Sequence, residues 1–183
     1  MGEALAKEYS RRGAYVVLSA RRAAELERVR SELAAPERCL TVVYDITDFD
    51  GAGRVAATVL EQTSHVDVLI NNAGIDYKDW VANTPLSIYQ KLIDVDYYGN
   101  IALTLELLPS LRPGAQVVAV SSVNGLLSDK CSSAYAAAKH ALLGFYDALR
   151  AERSDLRVSV IAPGYIKTPI TLNSLNGQRQ DLR

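Results

Sequence analysis

Short apolar runs alternate with longer stretches of helical composition along this chain, and that alternation constrains the fold more than any other feature. The apolar runs are Tyr15–Ala20, Leu40–Tyr44, Val66–Ile70, Gln116–Val120 and Arg157–Ala162. Their length and β-branched content predict buried strands. Between them the pattern predicts helices. One covers Glu3–Arg12 and is closed by Gly13; another covers Arg21–Leu33, in a region that Pro36 ends. A third runs from an Asp48 cap to about Gln62. A fourth spans Leu86–Leu108, with Leu92, Val95, Gly99, Ala102 and Leu103 on one stripe, and a fifth carries Tyr135 and Lys139 to about Glu152. Apolar strands separated by helices predict an α/β fold: a doubly wound, Rossmann-like parallel sheet covered on both faces. The 183 residues suffice for one core, and no repeat, low-complexity tract or linker divides them, so a single domain over residues 1–183 is expected.

Ligands of such sheets bind beyond the carboxyl ends of the strands. The residues there are Ser19-Ala20-Arg21, Asp45-Ile46, Asn71-Asn72-Ala73-Gly74, Ser121-Ser122 and Pro163-Gly164. Each turn alone has an ordinary explanation, because Asn, Gly and Pro are common loop residues. Together they are expected to converge on one edge with Tyr135 and Lys139. The i,i+4 spacing of those two puts them on one helix face. A tyrosine ordinarily ionises near pH 10, and an adjacent ammonium lowers that value towards the range of general acid–base chemistry. A lone Tyr-x-x-x-Lys also occurs on plain helix surfaces, so the strand-end residues carry the weight.

Composition excludes several classes. Hydrophobic residues make up 49% and the net charge is -1, which fits neither a disordered chain nor a nucleic-acid surface. No apolar run reaches membrane-spanning length, and MGEALAKEYSRRG is no signal peptide. Gly2 could be myristoylated only if position 6 were Ser or Thr, and it is Ala6. Cys39 and Cys131 lie far apart, and His65 and His140 have no ligand cluster, so no metal site is expected. Idle thiols suit a reducing compartment, intracellular, cytoplasmic or membrane-associated if an N-terminal segment is missing.

The residues NNAG at 71–74, the set Ser122, Tyr135 and Lys139 in SSVNG…YAAAK, and PGYIKT at 163–168 resemble the short-chain dehydrogenase/reductase family over essentially the whole chain. YAAAKHAL with a following LRAE is closest to its membrane-associated reductases. The resemblance implies an oxidoreductase that moves a hydride between a nicotinamide cofactor and a small carbonyl or secondary alcohol. Tyr135 would exchange the proton with the substrate oxygen, and Ser122 would hold that oxygen. Lys139 would lower the tyrosine's pKa and bind the nicotinamide ribose. Asp45 and Ile46 would meet the adenine, and Asn72, Ala73 and Gly74 would pass under the adenosine ribose. Pro163, Gly164, Ile166 and Thr168 would hold the nicotinamide amide. NAD-preferring sites place an acid after the second strand, whereas an arginine accommodates a 2′-phosphate. Here Arg21 and Arg22 follow that strand, which predicts NADP in preference to NAD.

Three departures from the family pattern stand out. The first strand and most of the glycine turn that should precede Glu3 are absent, the sequence stops soon after PGYIKTP, and Asp96 in IDVDYYGN replaces the family's asparagine. The sheet is therefore expected without its usual first and C-terminal strands. The missing turn and Asp96 support a rival reading, an inactive truncated fragment that acts, if at all, through association; packing of the Leu92–Leu107 and Tyr135–Arg150 helices in a homodimer would restore some of the burial the missing strand removes. A third class, another Rossmann-like binder such as a methyltransferase, would not need Ser122, Tyr135 and Lys139 together.

Overall fold

The computed structural model describes residues 1–166 and the short strand Leu175–Asn176. Five parallel strands appear where the apolar runs predict them: β1 (Val16–Ala20), β2 (Cys39–Val43), β3 (Val66–Asn71), β5 (Leu111–Val120) and β6 (Arg157–Ile161). A two-residue strand, β4 (Tyr77–Lys78), pairs with β7 (Leu175–Asn176). The helices are α1 (Gly2–Arg11), α2 (Ala23–Ser31), α3 (Gly51–Gln62), α4 (Leu86–Ile93), α5 (Gly99–Leu107) and α6 (Ser133–Glu152). The α/β, Rossmann-like architecture is as expected.

The sheet itself comes in two pieces. β1 and β2 pair in register from Val16 opposite Cys39 to Ala20 opposite Val43. β3, β5 and β6 form a second sheet in that order, with Ile70 opposite Val118 and Val118 opposite Ser159. In a doubly wound order the strand joining them would precede α1. Among the described residues none lies there. β1 and β3 therefore each present one edge without a strand partner.

Helices cover the larger sheet through one contiguous core. Leu69, Val117, Ala119 and Val158 from the strands meet Leu107 of α5 and Leu142, Tyr146 and Leu149 of α6. Leu142 and Tyr146 are wholly buried, a burial worth about 1.5–3 kcal/mol for each large side chain. On the smaller sheet, α1 places Ala6 against Val16, Leu33 and Cys39, and exposed ion pairs tie it to α2: Glu3 to Arg28 at 2.8 Å and Lys7 to Glu32 at 2.7 Å. Inside the larger core a polar knot crosses three elements. Asn71 Nδ2 donates to Thr104 Oγ1 at 2.9 Å and to the Tyr146 hydroxyl at 2.7 Å. Burial pushes the Tyr146 phenol far up, so it stays neutral there.

Two elements differ from expectation. The predicted single helix over Leu86–Leu108 is α4 and α5 joined by a π turn at Asp94–Tyr98. Gly99 follows that turn, and a Cβ there would collide with the Ile46 carbonyl, so only glycine lets α5 approach the β2 exit loop so closely. β5 begins at Leu111, earlier than Gln116: Leu111 pairs with Val66, the register then breaks with Gly114 at φ +85°, and regular pairing resumes with Gln116 opposite Val68.

Candidate active site

The site forms where β5 ends and α6 begins. After Val120 the backbone turns through Ser121 and Ser122 into one 3₁₀ turn (Val123–Gly125), which the Ser122 hydroxyl caps by accepting the Asn124 N–H at 3.2 Å. The Ser121 N–H donates to the Ile161 carbonyl at 2.8 Å and the Val123 N–H to the Pro163 carbonyl at 3.0 Å, so the exits of β5 and β6 are tied together. Gly125 lets this turn press on α6, since a Cβ there would lie 3.0 Å from the Lys139 carbonyl. α6 then presents Tyr135 and Lys139 to the same place. Both are buried, at 9% and 3% exposure, which is unusual for lysine without a partner.

Each has identifiable partners. Tyr135 packs in a small apolar cluster with Tyr77, Leu92, Ala134 and Ala138. The Ser122 hydroxyl stands beside its phenol and works against the effect of burial on it. Lys139 Nζ lies 5.6 Å from the Tyr135 ring centroid and donates to the Val120 carbonyl at 3.2 Å. Its nearest charge is Asp96, whose Oδ2 is 3.2 Å away and whose side chain is fully buried. Asp96 Oδ1 accepts the Ile75 N–H at 2.8 Å. The π turn holds Asp96 in place, while Asn100 Nδ2 donates to the Val95 and Asp96 carbonyls, both at 3.1 Å. Gly74 completes the wall: a Cβ there would lie 3.2 Å from Lys139 Nζ and 3.3 Å from Asp96 Oδ2.

One expectation reverses. An ammonium beside Tyr135 was expected to lower its pKa, yet the phenol is pushed up to about 12. Burial is the largest cause; the Ser122 hydroxyl opposes it, and the negative charges of Asp96 and Asp76 add to the rise. Burial likewise raises the Asp96 carboxyl, against the pull of Lys139.

The remaining predicted residues fall along the same strand ends. Arg21 and Asp45, at the exits of β1 and β2, face each other at 3.9 Å, and both are largely exposed. Ile46 packs against Gly99. Asn72 lies against the start of α1, where a Cβ on Gly2 would be 2.9 Å from its amide nitrogen, and the Ala73 carbonyl accepts from Asn100 at 3.3 Å. Gly164 and Ile166 are exposed. Thr168 lies outside the described residues. Sequence reasoning missed the parts played by Asp76, Gly125 and the Val120 carbonyl; Gly125 lies inside the SSVNG string and Asp76 two residues after NNAG, which were the only signals for them.

The sequence profile of the short chain dehydrogenase family matches residues 1–179. The chain is 40% identical over 186 residues to dehydrogenase/reductase SDR family member 7B of Bos taurus, covering 96% of this chain and 57% of that protein. It is likewise 40% identical over 186 residues to the SDR family protein 7-like dehydrogenase/reductase of Drosophila melanogaster, covering 97% and 57%. It thus spans under three-fifths of those relatives. A short-chain dehydrogenase structure from Streptomyces avermitilis superposes with TM-score 0.86 at 32% identity, over 94% of this chain and 64% of that one. An alcohol dehydrogenase from Thermococcus sibiricus complexed with 5-hydroxy-NADP shares the fold, with TM-score 0.89 at 24% identity over 97% and 76%. A buried tyrosine flanked by serine and lysine at the exit of a parallel strand thus sits in a chain that belongs to the short-chain dehydrogenase family.

Proposed function

We propose that this chain carries the catalytic half of an NADP-dependent oxidoreductase acting on a small carbonyl or secondary alcohol. The observation that carries this reading is the buried Tyr135, with the buried Lys139 ammonium 5.6 Å from its ring and Ser122 beside it, at the carboxyl end of β5. Residues along the strand exits fit a dinucleotide. Gly74 keeps the backbone against Lys139 where a side chain would intrude, and Arg21 offers an exposed guanidinium for a 2′-phosphate. Asp45, Ile46, Asn72 and Ala73 would line the adenosine, and Pro163, Gly164, Ile166 and Thr168 the nicotinamide. NADP(H) supplies the hydride when bound.

The chain's own residues handle the proton. Ser122 holds the substrate oxygen, and Tyr135 gives it a proton in reduction or takes one in oxidation. The apolar wall of Tyr77, Leu92 and Ala138 keeps water from the phenol. Lys139 orients the ribose and sets the charge beside the phenol. The 5-hydroxy-NADP complex of the archaeal alcohol dehydrogenase supports the cofactor class at the level of fold.

Fluorescence titration with NADPH and NADH tests the cofactor. Tighter NADPH binding that weakens in Arg21→Ala is expected; tighter NADH binding contradicts it. A second reading, a non-catalytic chain acting through association, is favoured by the divided sheet. Saturable NADPH binding argues against it.

A further inference from the structure

Asp96 and Lys139 form a closed pair of opposite charges beside Tyr135. Asp96 Oδ2 faces Lys139 Nζ at 3.2 Å without a well-aligned hydrogen bond, so the attraction is chiefly Coulombic. Neither side chain reaches water to any extent: the exposures are 0% and 3%. In so dry a setting the carboxylate cancels most of the field the ammonium would exert on a neighbour. The groups facing the phenol are then Ser122 from the β5 exit, Lys139 on its own helix, Asp96 from the π turn and Asp76 after β3, with the neutral rings of Tyr77 and Tyr89 in the same cluster. The positive charge is matched by one carboxylate, and Asp76 stands beyond it.

We propose that Asp96 neutralises Lys139 and so keeps Tyr135 a proton donor. On the oxidoreductase reading above, the site then reduces carbonyls from neutral to mildly alkaline pH and oxidises alcohols only at high pH. In reduction the carbonyl carbon gains the hydride from NADPH while its oxygen takes the Tyr135 proton, leaving a phenolate that solvent reprotonates. In oxidation the phenolate must exist beforehand to accept the hydroxyl proton, and the charge arrangement opposes it. Asp96 is a positioning residue here, acting on Tyr135 through Lys139. The rise of the phenol caused by burial and by the Asp96 and Asp76 charges agrees with this direction.

The test needs no turnover. Protein labelled with ¹³C at the tyrosine ζ carbon is titrated by NMR without cofactor, with the Tyr135 resonance assigned by its loss in Tyr135→Phe. The parent is expected to titrate above the ordinary tyrosine value of about 10. In Asp96→Asn the midpoint should fall by about 1–3 units as Lys139 acts on the phenol unopposed. Asp96→Ser provides the same measurement with a smaller side chain. The alcohol-oxidation limb of the pH–rate profile should move down in parallel. A parent midpoint at or below the ordinary value overturns the proposal, as does an unchanged or higher midpoint in either folded variant. Absence of NADPH binding would sink the oxidoreductase reading yet leave this titration readable, so the two failures are distinct.

Discussion

Tyr135 has its ring buried against Tyr77, Leu92 and Ala138, and this enclosure has a thermodynamic signature of its own. Its folded-state pKa, about 12, lies above the unfolded value, so the folded protein holds the proton longer. The stabilisation is complete below pH ~10 and is lost as pH rises towards the folded value, on the order of 1–3 kcal/mol at most. Urea melts at mildly and strongly alkaline pH should therefore show a larger alkaline loss in the parent than in Tyr135→Phe; equal losses contradict the burial argument. Tyr146 tests packing instead. Tyr146→Phe removes an acceptor from the Asn71 amide in a site closed to water and should cost about 1–3 kcal/mol in a thermal melt, without altering cofactor affinity. The pairing of Tyr135 with Lys139 was legible in the sequence because i,i+4 spacing on a helix is local. The sign of the effect on the phenol was not, since it depends first on burial and then on the charges of Asp96 and Asp76, none of which the i,i+4 spacing shows.

At the level of elements, what was hidden is the π turn at Asp94–Tyr98. Hydrophobic periodicity sees one helix over Leu86–Leu108, because a single extra residue per turn barely disturbs the apolar stripe. Such turns often mark functional sites, and this one sets Asp96 into the core. Gly99 is its companion constraint. Gly99→Ala should destabilise by about 1–3 kcal/mol or more, because the new methyl meets backbone at Ile46 and neither α5 nor the β2 exit yields cheaply. A thermal melt of that variant matching the parent would show that the two elements can separate. β5 hides a similar irregularity: Leu111 pairs with Val66, and a register break around Gly114, at φ +85°, separates it from the regular pairing that starts at Gln116.

The whole molecule combines a buried Tyr135–Lys139 cluster at the exit of β5 with a divided sheet. The alternation of strands and helices made the architecture and the order of the site residues legible. The division followed from topology, because the strand order of a doubly wound sheet places its first strand between β1 and β3. Backbone groups along those two edges lack strand partners, and each one shielded from water costs about 1–3 kcal/mol. A chain given an apolar strand and glycine turn ahead of α1 should therefore melt higher and bind NADPH more tightly than residues 1–183; identical melts would show that the edges are satisfied otherwise. The central claim, that Tyr135 moves the proton in an NADPH-dependent reduction, has a direct test. Single-turnover loss of NADPH absorbance against a panel of small aldehydes and ketones is compared between the parent and Tyr135→Phe. The parent should reduce at least one of them, and the variant should be slower by about 10²–10⁴-fold at nearly unchanged NADPH affinity. A parent that oxidises no NADPH, or a Phe variant as fast as the parent, contradicts it.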